Sequence, residues 1–289
     1  MCFSAVVVPG VASAADGGWQ IAQLPIKDVL GPVINNSGEI VWFLNSDGGI
    51  FSNVRGKLAE GGLYPHLSND GEVIYADYYS GGLKWDLVST ERGRLTFGGV
   101  INVNRSSFDV NSSGEVVYAT EDASGHFQIF STVRGQITFE ATDHYNPCIN
   151  DLGEIVWDQY LPGLGGRLVS SSRGLLPESY RVGALDLNNL GEVCFSSYLP
   201  SSQGGYSSPH IFSSTHGVVI NNADLFQWNG GINDAGTIVW TAPEVPGSAT
   251  WYVYQAQWLV PEPSALTLSA MGGFLCFYSR TKFLVRGVG

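Results

Sequence analysis

Charge is what this sequence has least of. Charged residues make up 14% of the 289-residue chain, against about 25% in a typical globular protein. Basic residues are scarcer still, at 14 Lys and Arg against 26 Asp and Glu, for a net charge of -12. So few cations cannot displace a phosphate counterion atmosphere, which argues against nucleic acid or an anionic lipid surface as partner. The acidity itself reads as a device for solubility. Cysteine is scarce too, at four. Cys2 and Cys276 fall in apolar ends, which leaves Cys148 and Cys194 in the body, in neither a CxxC nor a Cys/His metal spacing. Those two are read as buried thiols, with a disulfide left open in an oxidising compartment. The five histidines (His66, His126, His144, His210, His216) form no HxH or HExxH, so no metal is expected. No G-x-S-x-G occurs, and nothing in the chain asks for a cofactor.

What the chain has in quantity is one phrase. "INNSGEIVWF" begins at Ile34 with its glycine at Gly38, and close variants carry theirs at Gly71, Gly114, Gly153, Gly191 and Gly236. The glycines recur 33, 43, 39, 38 and 45 residues apart. Asn or Ser opens the turn in every copy, a residue type whose side chain closes a type I turn on its own backbone. Glycine at the end suits a left-handed position in a bulged hairpin. The strand that leaves the turn carries Ile40, Val73, Val116, Ile155, Val193 and Ile238 on one face. The residues that follow them (Val41, Ile74, Val117, Val156, Cys194, Val239) face the other way. A strand apolar on both faces is a middle strand sandwiched between neighbours.

A second mark follows in five copies: "SNVRG", "STERG", "STVRG", "SSSRG" and "SSTHG". Flanking β-branched and apolar residues make it a further hairpin. Two hairpins per unit and a period near 40 predict an all-β fold, a six-bladed β-propeller. The last copy lacks the second mark, and "GGWQIAQLPI" stands before the first. The N-terminal strand is therefore expected to complete the last blade and close the ring. The repeated glutamates (Glu39, Glu72, Glu115, Glu154, Glu192) are expected to brace their own turns. The repeated arginines (Arg55, Arg92, Arg134, Arg173) are expected to be solvated.

The ends read as addresses. Residues 1–14 suggest a truncated signal peptide cleaved after Ala14, with small residues at Ala12 and Ala14. Residues 15–259 form the propeller body, and residues 260–289 a sorting and anchor segment. There Pro261, Glu262 and Pro263 precede an uncharged stretch from Ser264 to Ser279, followed by Arg280, Lys282 and Arg286. A hydrophobic helix over that stretch is expected, with the basic residues as a stop. This arrangement resembles the PEP-CTERM sorting signal of Gram-negative bacteria that make exopolysaccharide. The resemblance implies an exosortase as partner, an inner-membrane intermediate, and final location at the cell surface or in the extracellular matrix. The repeated Asn-x-x-Gly phrase resembles extracellular HAF-type tandem-repeat proteins, which implies a surface repeat domain with no assigned catalysis.

Five copies of one carboxylate speak against a catalytic role, since a catalytic acid or base is a singular residue. Binding residues are expected where the copies differ, on loops. Asp77, Tyr78 and Tyr79, with Asp143, His144 and Tyr145, and with Asp158 and Tyr160, combine carboxylates and aromatics suited to a sugar ring. The function expected is a non-catalytic binding or structural module for extracellular polysaccharide or surface proteins. The alternative is a carbohydrate-active enzyme, a glycosidase or lyase, on the same scaffold. A carboxylate pair facing across the channel would mark the enzyme, and its absence with an apolar or Ser/Asn-lined channel the module.

Overall fold

The computed structural model describes residues 6–7, 18–44, 49–78, 85–97, 108–163, 165–176, 185–200, 206–220, 230–244 and 248–260. These are all-β, arranged as six antiparallel sheets. The first blade runs Val29–Ile34, Ile40–Leu44, Ile50–Ser52 and Gly56–Ala59. Blades two to five repeat that meander, beginning at Leu63, Phe108, Asp143 and Leu185. The sixth consists of Gly231–Ile232, Ile238–Pro243 and Trp251–Leu259, with Gly18–Lys27 as its outer strand. The N-terminal strand thus closes the ring, as the missing second mark in the last copy predicts.

Each seam between blades holds its own apolar core, and the double-faced strand explains why. Val41 of the first blade packs with Val73 of the second, Ile74 with Val116, and Val117 with Ile155. Val156 packs with Val193, Cys194 with Ile238, and Val239 with Ile40 to complete the circle. Most of these side chains are fully buried, and each contributes about 1.5–3 kcal/mol of hydrophobic stabilisation. Cys148 and Cys194 are free and buried. They belong to cores on opposite sides of the fifth blade, so no disulfide joins them.

The turn asparagine does more than shape its hairpin. Asn35 Oδ1 accepts the N–H groups of Ser37 and Glu39 at 3.1 and 3.0 Å, and Gly38 takes φ 79° to close the turn. Its Nδ2 donates to the Ser68 carbonyl of the next blade at 3.4 Å. Asn111, Asn150, Asn188 and Asn233 repeat the link, the last onto Asn35 across the ring closure. A second circle follows one residue later. The Asn36, Ser112, Asp151, Asn189 and Asp234 N–H groups each donate to the side chain of the matching residue in the next blade.

Both circles break at the same seam, between blades two and three. There Ser68 replaces asparagine and has no amide to extend, and Ser112 has no side-chain amide oxygen to accept the Asn69 N–H. Ser68→Asn combined with Ser112→Asn is expected to restore two inter-blade hydrogen bonds. At about 1 kcal/mol each, the double variant should raise the denaturation midpoint in urea. An unchanged midpoint would mean that the seam cannot close far enough to use them.

The repeated glutamates and arginines turn out to be partners. Glu72 accepts from Arg92 Nε at 2.6 Å and from the Ser89 hydroxyl. Ser89 Oγ in turn caps the second hairpin by accepting the Glu91 and Arg92 N–H groups at 3.0 and 2.9 Å. Blades one, three and four make the same Glu–Ser–Arg rivet. The arginines are exposed, as expected, and each also holds a carboxylate. One expectation is corrected: the glutamates brace the far hairpin of their blade, not the adjacent turn. Arg92 and Arg134 also reach the carbonyls of Gly114 and Gly153 in the following blades. In the fifth blade His216 stands in the arginine position and stacks on Trp258, with ring centroids 4.6 Å apart.

Candidate functional site

The meander puts both hairpin turns of each blade on one face of the ring. Links between second and third strands, and between blades, lie on the other face. The axis is lined by the innermost strands. On them, the position two residues before the turn residue is occupied by Val33, His66, Asp109, Cys148, Asp186 and Gly231. At this inner-strand position the six copies differ in chemical type.

Asp109 is 6% exposed. Its Oδ1 accepts its neighbour Val110 N–H and its Oδ2 accepts Ile149 N–H from the fourth blade, both at 2.8 Å. His66 of the second blade approaches Oδ1 through Nδ1 at 3.2 Å. Asp186 repeats the design two blades on, accepting Leu187 N–H at 2.8 Å and Ile232 N–H of the sixth blade at 2.7 Å. Burial first, and the charge of Asp109 second, push the Asp186 carboxyl up to about 7. Gly231 occupies the corresponding site in the last blade, where a Cβ would lie 2.9 Å from Ile34 N. Ring closure leaves no room there for a side chain.

Toward the turn face the axis is bridged by amides and carboxylates. Asn69 and Asn189 both donate to Asp151 Oδ2, at 2.8 and 3.0 Å. Asn189 and Asn36 both donate to Asp234 Oδ2, at 3.0 and 2.6 Å. Burial would raise the Asp151 carboxyl, but the Ser112 N–H and the Asn69 and Asn189 amides together hold it below its ordinary value. A partly open cavity of about 40 Å³ is lined by both this bridge and the Asp109–Asp186 level. That is room for a few water molecules.

The residues predicted from sequence as binding loops lie on strands at the opposite face. Asp143–Ile149 and Ile155–Leu161 are paired so that Asp143 faces Tyr160 and Tyr145 faces Asp158. Two stretches far apart in the prediction thus meet at one end of the fourth blade. Asp77 and Tyr78 end the strand Val73–Tyr78, and Tyr79 lies outside the described residues. Asp77 is paired with Arg94 at 2.7 Å. Asp143 accepts the Phe127 N–H at 3.1 Å and lies 3.3 Å from His126 Nδ1. His144 is 1% exposed and lies edge-on to Trp157, and burial keeps its imidazole below the usual histidine value. Tyr160 is the exposed member, at 44%. Asp158 is 6% exposed and its Oδ1 has no partner; burial pushes its carboxyl up to about 7.

Among the described residues no three His, Cys, Asp or Glu side chains converge as a metal ion would need. No helix there is long and apolar enough to cross a membrane. The expected C-terminal helix, the sorting residues Pro261, Glu262 and Pro263, the basic stop and Ala14 all fall outside the described residues.

Comparison with known proteins shows the architecture alone. No protein-family model matches the chain, and no characterised protein matches it by sequence. Among solved structures, the chain is similar to the Pyrococcus horikoshii acylaminoacyl peptidase, at TM-score 0.51 and 10% identity over 88% of this chain. It spans about half of that protein, 49%. The PQQ-bound aldose sugar dehydrogenase of Streptomyces coelicolor matches at TM-score 0.46 and 10% identity, covering 86% of this chain and all of that one. A mutant Aleuria aurantia lectin in complex with Fucalpha1-6GlcNAc matches at TM-score 0.43 and 8% identity, covering 84% and 99% of the two chains.

Proposed function

We propose that this chain is an exported propeller of the bacterial cell surface or exopolysaccharide matrix, acting as a binding or structural module and not by catalysis. The observation that carries the reading is how the axial carboxylates are used. Asp109, Asp186 and Asp151 each accept a backbone N–H from a neighbouring blade, and Asp234 accepts one from Asn189. They fasten blades, and the cavity of about 40 Å³ beside them has room for water molecules and not for a sugar ring. A polysaccharide partner would then meet the loop face, where Tyr160 and its neighbours stand. Sorting would run through an exosortase acting near Pro261-Glu262-Pro263.

Two experiments test this. A polysaccharide-binding screen run beside a hydrolysis assay on the same polymers should give retention without cleavage; cleavage by the purified protein refutes the non-catalytic reading. Replacing Pro261, Glu262 and Pro263 with alanine in the exporting cell should leave an unprocessed, membrane-held form of higher mass. Unchanged mass and distribution would refute the sorting reading.

One observation favours the alternative, a carbohydrate-active enzyme. Asp109 and Asp186 act on each other electrostatically, and burial with the Asp109 charge raises the Asp186 carboxyl above its ordinary value, in the direction that suits a general acid. Hydrolysis abolished by Asp186→Asn in a still-folded protein would establish that reading instead.

A further inference from the structure

The seams between blades are not fastened alike. At the axis Asp109 joins blade three to blade four and Asp186 joins blade five to blade six, each through a backbone N–H of the following blade. His66 reaches Asp109 from blade two. Between blades four and five the matching residue is Cys148, whose thiol donates to Val156 O in its own blade at 3.5 Å. The arginine straps stop at the same place. Arg92 and Arg134 bond to the following blade, whereas the Arg173 side chain bonds to Glu154 alone. Among the described residues, what holds this seam is its apolar core and its turn-face end, where Asn150 bonds to Asn188 O and Asn189 to Asp151.

Beside that core the fold also sets a carboxyl. Asp158 follows Val156 by two residues and is paired with Leu168. Strand alternation therefore puts it on the face that those two turn toward blade five. It is buried, and its Oδ1 has no partner. The seam between blades one and two also has no axial clasp, with Val33 at that place and the Arg55 side chain bonded to Glu39 alone. There, however, Phe43 takes the position of Asp158.

We propose that the seam between blades four and five is a pH-sensitive joint, shut while Asp158 and Asp186 hold their protons and loosened when both ionise. The groups that act on Asp186 are Asp109 and His66 from across the axis, with the thiols Cys148 and Cys194 nearby. Val33 and Gly231 fill the remaining axial places. Among the described residues, Asp158 meets Tyr145 opposite it, Tyr160 two residues on, and the backbone N–H of Arg167. Of these groups only His66 can carry a compensating positive charge.

Both carboxyls rise to about 7, Asp158 through burial, Asp186 through burial and then the Asp109 charge. The folded seam thus holds these protons more tightly than the unfolded chain does. The stabilisation is complete below about pH 4 and is lost as the pH climbs through about 7. Above that, one charge lies beside the seam core and a second confronts Asp109, while the turn-face amides still hold. The two blades would part at the far end and pivot on Asn150 and Asn189. Such a joint goes beyond the binding reading, because it makes the module answer to acidity whatever it binds.

The test labels the full chain with N-ethylmaleimide in short pulses and compares Cys148 with Cys194 by peptide mass spectrometry. Both thiols are buried and burial pushes both well up, so their ratio cancels the ordinary gain of thiolate with pH. Cys194 lies in the clasped seam between blades five and six. The Cys148/Cys194 ratio is expected to rise at least about tenfold between about pH 5.5 and about pH 8.5. Asp158→Asn with Asp186→Asn should hold the ratio flat. A level ratio in the unaltered chain overturns the proposal, because the two thiols are then exposed together by global unfolding or not at all. A rise that the double variant keeps overturns it too. Should the double variant not fold, Asp158→Asn alone must still cut the rise, and a full rise in it is equally decisive against the joint. Polysaccharide retention plays no part in the readout, so the joint and the binding function fail separately.

Discussion

Asn150→Ala is expected to destabilise the propeller by about 3 kcal/mol, one of the largest effects of any surface-sized side chain in the molecule. The side chain is 3% exposed and makes three bonds. Its Oδ1 accepts the Leu152 and Glu154 N–H groups at 3.1 and 3.0 Å, and its Nδ2 donates to Asn188 O at 3.2 Å. Alanine leaves the two N–H groups without their acceptor and the two blades without their amide link. Each unmet buried group costs about 1–3 kcal/mol, partly relieved here because the Leu152 side of the turn reaches water. In a domain of this size each kcal/mol moves the melting temperature by about 2–4 °C, so the loss should be plain in a far-UV circular dichroism melt. Asn150→Asp separates the two jobs. It keeps the acceptor and loses the donor, and it sets a carboxylate against the Asn188 carbonyl. It should fall between wild type and alanine, closer to wild type in acid. If alanine and aspartate are equally mild, the turn closes without its side chain and the circle of amides is ornamental.

That circle was half legible in the sequence. The turn role of the asparagine follows from Asn and Gly at a fixed spacing, and so does the two-faced strand after it, because both depend on residues within one hairpin. The six seam cores confirm the alternation residue by residue, from Val41 with Val73 round to Val239 with Ile40. The donor half of Asn35, aimed at the next blade, was not visible, since it depends on how far apart two blades stand. The Glu–Ser–Arg rivet left a trace that could have been read. The sixth copy has Thr237 for the glutamate and also lacks the second hairpin mark, so the partners disappear together.

The axial residues were missed for a different reason. Attention to what repeats passes over a position that does not, and His66, Asp109, Cys148 and Asp186 share a place that is only defined by counting back two from each turn. The structure gives the expected binding residues a setting that the sequence did not show. The sequence alone places Asp143 and Asp158 on loops, free to meet a ligand. Strand pairing carries them to the end of the fourth blade instead, where one is bonded and the other is buried.

Asp158 gives the second large effect, and its sign is opposite. Its carboxyl rises from an ordinary value of 3.8 to about 7, first because it is buried and despite the Arg167 N–H that it accepts. The folded state therefore favours the protonated form. The associated stability is complete below about pH 4, where both states are protonated, and is lost progressively as the pH rises to about 7. Above that the native chain must hold a buried carboxylate, at a penalty of up to about 4 kcal/mol. Asp158→Asn keeps the shape, which matters because the carboxylate lies directly over Gly166. It should gain about 2 kcal/mol at pH 8, gain nothing at pH 4, and flatten the slope between, as followed by urea denaturation across that range. No difference between the two pH values would mean that water reaches the group. The same variant also bears on function, because a residue kept at a stability penalty is a candidate for a ligand contact. Stabilisation with polysaccharide retention intact would remove Asp158 from the binding surface. Stabilisation with retention lost would identify it as a group whose strain serves the partner.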